Sequence, residues 1–245
     1  MRLTRTYVPI ELAAGAEIVL PSQAAEHLTR VLRLEAGAPF TVFNGQGGEY
    51  SAVLGARSGK KVLARLGHHD SVERESALAI TLLQGVARSE RMDLIVQKAT
   101  ELGVRRIMPV LTERSVVKVD AKQRERKVEH WQSIVISACE QCGRNRVPEV
   151  SAPAVLGDAI AALSGSGLRC LLAADGSEPL ATAARNAPGR VTLLIGPEGG
   201  LADNERRFAG AHGFAAFRLG PRILRTETAG LAALATLQAV AGDFS

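Results

Sequence analysis

The spacing of apolar and polar positions changes once along the chain. Through residues 1–73 the apolar residues come in short runs, 4–8, 17–20, 40–43, 49–54 and 61–66, broken by turn residues, which predicts strands. Between two of them Asn44-Gly45-Gln46-Gly47-Gly48 predicts a hairpin. One helix interrupts, from Ser22 as N-cap to Leu34, with Leu28, Val31 and Leu32 on its apolar face. A small β-barrel is the natural packing of such pieces.

From Leu78 onward apolar strands at 78–83, 106–111, 168–173 and 191–195 alternate with helices, which predicts an α/β domain with a parallel sheet covered on both faces. Residues 89–102 predict a helix with Met92, Ile95, Val96, Ala99 and Leu102 inward and Gly103 at C′. A longer helix is expected over 122–141, its first turns dense in charge and read as a solvated face. The polar stretch 69–75 has no period, so two domains are expected, 1–73 and 74–245. The chain shows neither internal repeat nor low-complexity segment.

Composition narrows the class. A chain of 245 residues that is 46% hydrophobic and 22% charged can bury a sizeable core. Apolar runs stay short of the roughly 18–20 residues of a membrane span, and residues 1–9 carry Arg2 and Arg5 with no signal-like apolar stretch behind them. A cytoplasmic protein without a membrane partner is expected. Cys139, Cys142 and Cys170 make no disulfide framework, and Cys139-x-x-Cys142 lacks a second Cys or His pair, so no metal site is expected. The net charge of +5 divides as +1 over residues 1–73, +4 over 74–150 and 0 over 151–245, placing the basic excess mid-chain. That points to an anionic partner.

Two turns carry the chemistry. In Leu193-Leu194-Ile195-Gly196-Pro197-Glu198-Gly199-Gly200-Leu201 a strand of buried type runs into glycines and then a helix near Asp203, a possible cap. Ligands bind at such strand ends in open α/β sheets, and glycines let the backbone approach them. The second turn, Leu219-Gly220-Pro221-Arg222-Ile223-Leu224-Arg225-Thr226-Glu227, again follows a strand and opens a helix over 227–240 that is almost wholly apolar. Such a helix belongs in a core or a subunit interface. Thr226 reads as its N-cap and Glu227 as a first-turn carboxylate favoured by the helix dipole. The two turns together suggest a pocket between neighbouring strands. P-loop and dinucleotide signatures fail: Gly55 to Lys61 is one residue short and lacks the Ser or Thr for magnesium, and Gly45-Gln46-Gly47 opens no helix.

These two strings, with Arg30-Val31-Leu32-Arg33, Gln97-Lys98-Ala99-Thr100-Glu101-Leu102-Gly103-Val104 and Ser137-Ala138-Cys139-Glu140-Gln141-Cys142-Gly143-Arg144, resemble the RsmE family of SPOUT methyltransferases over nearly the whole chain. The resemblance implies a PUA-like β-barrel for RNA recognition, then a SPOUT methyltransferase domain threaded as an α/β trefoil knot, working as a homodimer. It implies S-adenosyl-L-methionine as cofactor and N3 of a uridine in 16S ribosomal RNA of the small subunit as acceptor. Leu194, Ile195, Gly196, Gly199, Gly200, Leu219, Gly220, Ile223, Leu224 and Thr226 would then hold the cofactor.

Uracil N3 carries a proton and is a poor nucleophile until it leaves, so the site needs a base or a cation that stabilises the anion. Arg225 is the candidate cation, with Glu227 or Glu198 as base or orienting group; the plainer roles are that Arg225 pairs Glu227 and that Glu198 braces its own turn. Arg5, Arg30 and Arg33 on the barrel and Arg88, Arg91, Lys98 and Arg114 beyond it are candidates for RNA phosphate contacts, each singly also an ordinary surface residue. Aromatics at 4% leave phosphate charge and shape to dominate over base stacking. A related enzyme acting on ribose or another base, and an RNA-binding assembly factor without catalysis, are the competing readings.

Overall fold

A computed structural model describes residues 4–59, 61–115 and 121–244. It divides into two compact units, one of Met1–Glu75 with Cys139–Val147 and one of Ser76–Ala138 with Pro148–Ser245.

The first unit contains β1 (Arg5–Tyr7), β2 (Glu17–Val19), α1 (Ser22–Glu26), a π-helical turn over His27–Val31, β3 (Pro39–Phe43), β4 (Glu49–Ser58) and β5 (Lys61–Asp70). Among the described residues its strands form one sheet in the order β1-β3-β4-β5-β2, with β3 and β4 joined by the expected hairpin. β1 and β2 are its edges, and among the described residues they do not pair with each other. Alternate residues Val62, Ala64 and Leu66 of β5 point inward and meet Phe40, Val42, Leu54 and Leu28 in one core. The predicted helix differs in detail. Pro21 occupies its N-cap, without a side-chain cap from Ser22, and the wider π turn rotates Val31 (67% exposed) and Leu32 outward, leaving Leu28 as the buried anchor.

Residues Cys139–Val147 belong to this unit through polar contacts. The Arg5 guanidinium pairs with Glu49 and donates to Arg144 O (3.2 Å) and Asn145 Oδ1 (2.5 Å), while Tyr7 N–H donates to Glu140 Oε1 (2.9 Å). Arg144 pairs with Glu75 and Arg146 with Glu73 (2.7 Å). Arg5, 7% exposed, therefore spends its charge inside the unit and is not presented to RNA phosphate, contrary to the expectation. Burial raises the Cys139 thiol to about 12, which removes it from nucleophilic chemistry at neutral pH.

The second unit runs β6 (Ala79–Gly85), α2 (Ser89–Glu101), β7 (Val104–Leu111), α3 (Ala121–Cys142, whose last turn lies in the first unit), β8 (Glu149–Val150), β9 (Ala154–Val155) and α4 (Leu156–Ala161). It continues through β10 (Leu168–Leu172), β11 (Glu178–Pro179), α5 (Leu180–Ala184), β12 (Arg190–Ile195), α6 (Asp203–Ala211), β13 (Ala215–Arg218) and α7 (Thr226–Ala241). The sheet order is β11-β13-β10-β12-β6-β7-β8, every pair parallel, with β9 also on β7. Central strands β6 and β12 are buried along most of their length, as apolar parallel strands between helix layers should be. Helix α2 buries Met92, Ile95, Val96 and Ala99 and stops before Gly103, whose φ of +80° takes the left-handed C′ conformation. Among the described residues no helix is long and apolar enough to cross a membrane.

Candidate active site

Because the strands are parallel, their C-terminal ends emerge along one edge of the sheet. Three of them bound a cavity of about 670 Å³: β12 leads into Gly196 to Leu201, β13 into the turn holding Ile223 and Leu224, and β10 into Ala173, Ala174 and Asp175. The two glycine turns are not on neighbouring strands, as their succession in sequence suggested, because β10 pairs with both β12 and β13 and lies between them. Leu172, Ala173 and Ala174 were therefore missed as cavity walls; the signal was an apolar strand ending in two alanines.

The glycine turn is closed by Gly200 N–H donating to Pro197 O (2.8 Å), with Gly200 at a φ of +68°. A Cβ on Gly196 would stand 3.0 Å from Leu201 N, so the turn packs against its own backbone there. Thr226 is not the N-cap. Arg225 holds that position and Thr226 is the first residue inside α7, buried, its hydroxyl donating to Gly196 O (2.7 Å) and accepting from Gln84 Nε2 (3.0 Å). Gln84 Nε2 also donates to Gly85 O (3.0 Å). One hydroxyl thus joins the start of α7, the first glycine turn and the end of β6. Sequence reading missed Gln84, whose polarity inside an apolar strand was the available clue. Asp203 likewise sits within α6; the N-cap is Ala202, whose N–H donates to Glu205 (2.9 Å).

Arg91 organises the carboxylates. Its Nη1 donates to Glu198 Oε1 (3.1 Å), and its Nε stands 3.7 Å from Glu227 Oε1. The Arg88 amide also donates to Glu198 Oε1 (3.1 Å). Burial pushes the Glu198 carboxyl up, but the hydrogen bonds from Arg88 and Arg91 outweigh it and hold the group below the usual carboxylate range. The second oxygens of Glu198 and Glu227 are buried without a hydrogen-bond partner among the described residues. At the mouth Asp175 forms a two-oxygen contact with Arg206 (2.7 and 2.9 Å), which keeps its carboxyl low.

The cavity gathers Ile195, Gly196, Gly199, Gly200, Ile223, Leu224, Thr226, Glu198 and Arg225 from the expected set. Leu219 and Gly220 line a smaller adjoining cavity of about 120 Å³. Leu194 departs from expectation: its side chain is wholly buried with Leu83 and Met108 in the core. Glu227 does not line the cavity but stands beside Arg91, which does, and among the described residues it makes no ion pair with Arg225. Arg114 lines the cavity and donates to Gly199 O (3.4 Å), Arg88 is exposed, and Lys98 is occupied by Glu101 (2.8 Å). Arg30 and Arg33 are exposed on the first unit, Arg33 at a φ of +53°.

Residues 74–238 match the family model described as RNA methyltransferase domain, and residues 20–67 the one described as RNA methyltransferase PUA domain. The ribosomal RNA small subunit methyltransferase E of Synechocystis sp. (strain ATCC 27184 / PCC 6803 / Kazusa) is 35% identical over 240 residues, 96% of this chain and 77% of that protein. The chain belongs to the ribosomal RNA small subunit methyltransferase E family. Solved structures of similar proteins agree along the entire length. The family member from Neisseria gonorrhoeae, bound to S-adenosyl methionine, is 37% identical with a TM-score of 0.92, and a methyltransferase from Legionella pneumophila with bound cofactor SAM is 40% identical with a TM-score of 0.95; each comparison covers 100% of both chains.

Proposed function

We propose that this protein binds S-adenosylmethionine in the cavity at the ends of β10, β12 and β13 and methylates N3 of a uridine in 16S ribosomal RNA. The reading includes a C-terminal segment threaded as a SPOUT trefoil knot, a cytoplasmic homodimer, and RNA recognition by the PUA-type unit. The carrying observation is the Thr226 hydroxyl, which fastens the second turn to the first around one cavity. A volume of about 670 Å³ lies in the range of pockets for small ligands, roughly 300–1,000 Å³.

The walls suit a nucleoside. Main-chain groups of the turns can read an adenine edge, small Ala173, Ala174 and Ala229 leave room for it, and Ile223, 89% exposed, is an apolar side chain that a bound ring would cover. When bound, S-adenosylmethionine supplies an electrophilic methyl group on a sulfonium. The protein must place uracil N3 in line with it and deal with the N3 proton. Arg225, exposed at the cavity and without a hydrogen bond or ion pair among the described residues, is free to pair with a uracil carbonyl oxygen as negative charge develops. Glu198, held low and bonded by two donors, is a weak base and orients Arg91. Glu227 stands beside Arg91 outside the cavity lining and orients that guanidinium, so the N3 proton passes to water as Arg225 stabilises the anion. Support for a dimer comes from α7, an apolar helix whose Leu231 is only half-buried and whose Val240 is 36% exposed.

The test is nucleoside mass spectrometry of unmodified small-subunit particles after incubation with the protein and S-adenosylmethionine, beside an Arg225→Ala control. The expected result is 3-methyluridine, lost in the control. Methyl transfer to ribose or to another base would reject the uridine-N3 assignment, and RNA binding without cofactor binding would reject the enzyme.

A further inference from the structure

The face of the second unit's sheet that carries α4 changes character along its strands. At one level Leu83, Leu194 and Met108 lie side by side and are buried under Leu156 and Ile160 of α4. Two residues earlier on each strand, hence on the same face, the row reads Thr192, Thr81, Arg106 and Glu149 across the adjacent strands β12, β6, β7 and β8. Helix α4 is only six residues long and its apolar contacts stop at the leucine level. Over the polar row lies a cavity of about 270 Å³, closed at its side by Leu163 and Ser164.

Polar residues on the two central strands of a covered parallel sheet go against the pattern of the rest of that sheet. Thr192 is 8% exposed, yet neither its hydroxyl nor that of Thr81 has a hydrogen-bond partner among the described residues. Three guanidiniums stand around them. Arg190, on the same strand and face as Thr192, donates from Nη1 to Ser164 O (3.1 Å). Its seat depends on Gly165, which has a φ of +78° and where a Cβ would come within 3.0 Å of that nitrogen. Arg106 is steadied by Ser151 (3.1 Å) and touches Glu149 (3.3 Å). Glu149 is 65% exposed in its side chain, and a rim pair of that kind is weak enough to yield to a better acceptor. Arg105 lines the cavity and is exposed, with no hydrogen bond or ion pair among the described residues.

Three cations against one carboxylate, with two hydroxyls on the floor that have no protein partner among the described residues, leave the cavity with an excess of positive charge and of hydrogen-bonding capacity. We propose that this cavity is a second binding site, built for a phosphate group and separate from the glycine turns. Guanidinium forks such as those of Arg190, held by Ser164 O, and Arg106, held by Ser151 Oγ, match phosphate oxygens in pairs, and the threonine hydroxyls can donate to an oxygen the arginines leave free. Thr192 stands four residues before Gly196, about 13 Å along the strand at ~3.3 Å per residue, so a group bound here does not share the first cavity. The same chemistry accepts a free phosphate or a backbone phosphate of an RNA chain, and it stands whether or not the methyl-transfer reading holds.

The full chain is titrated calorimetrically with inorganic phosphate against chloride at matched ionic strength, and with a short oligouridylate over a range of salt. Wild type is compared with Arg105→Gln, Arg190→Gln and Thr192→Val. For a free-phosphate site, inorganic phosphate binds about tenfold more weakly to each variant. For a backbone-phosphate site, inorganic phosphate gives no heat, both arginine variants lower the salt slope of oligouridylate binding by about one, and Thr192→Val weakens binding at fixed salt. Variants indistinguishable from wild type with both probes would overturn the site. So would loss in the arginine variants with Thr192→Val unchanged, since general attraction to a basic surface does not need the hydroxyl. S-adenosylmethionine affinity, measured alongside, should be the same in all four proteins, which separates failure here from failure of the first cavity.

Discussion

The two ends of the parallel sheet in the second unit leave different kinds of polar group unpaired. At the C-terminal edge the spare groups are acceptors: Gln84 Oε1, Glu198 Oε2 and Glu227 Oε2 are buried without a donor among the described residues. Toward the N-terminal edge they are the hydroxyls of Thr81 and Thr192, which can donate or accept, and the exposed guanidinium of Arg105. A buried acceptor left unpaired costs about 1–3 kcal/mol, which the C-terminal edge bears at three atoms, whereas the exposed Arg105 and half-buried Thr81 at the other edge keep contact with water. Acceptors suit a substrate that arrives with N–H groups; guanidiniums suit an anion.

The largest expected effect is at the C-terminal edge. Arg225→Ala should slow methyl transfer by about 10²–10³-fold, the size seen when one preorganised donor to a developing negative charge is removed, with the melting temperature unchanged because Arg225 is exposed and unpaired. Equal rates in single-turnover assays would mean that the cation lies elsewhere. Thr226→Val should lower unfolding free energy by about 1–3 kcal/mol in urea titrations, since Gly196 O and Gln84 Nε2 both lose a buried partner. Thr192→Val, the same change at the other end, should shift stability by less than about 0.5 kcal/mol, because no protein group there depends on the hydroxyl. If the two substitutions cost the same, the contrast between the ends is wrong.

Glu198 provides a smaller and pH-dependent test. Its carboxyl is held below its unfolded value of about 4.3, so the stabilisation is present above that pH and is lost as pH falls through the lower folded value. Glu198→Gln should therefore flatten the acid limb of stability as pH falls below the ordinary carboxylate value of about 4.3, measured by denaturant midpoints, and leave the neutral-to-alkaline slope alone. An unchanged acid limb would show that Arg88 and Arg91 do not hold the charge.

Legibility followed the range of the interaction. The hairpin at Asn44 to Gly48, the strands and the apolar stripe of α2 could be read from the chain because each depends on neighbours a few residues away. The glycine turns were legible for the same reason. What failed was longer in range or decided by competition. Thr226 looked like a cap because capping is local, but its hydroxyl found a carbonyl 30 residues back. Val31 and Leu32 fitted a regular helix until a π turn changed their angle. Arg5 looked like a surface cation, and only the return of residues 139–147 to the first unit shows its acceptors.

The sequence by itself determined the strand and helix periods and the two strand-end turns, since periodicity and turn chemistry act between residues close along the chain. Tertiary structure alone decided that β10 separates those turns, that Gln84 and Gly196 meet one hydroxyl, that Arg91 holds two carboxylates, and that Thr81, Thr192 and Arg106 share a level on one face. Strand order and register set those meetings, and both are fixed by burial of the whole sheet between its helices, a quantity that no short window of sequence contains.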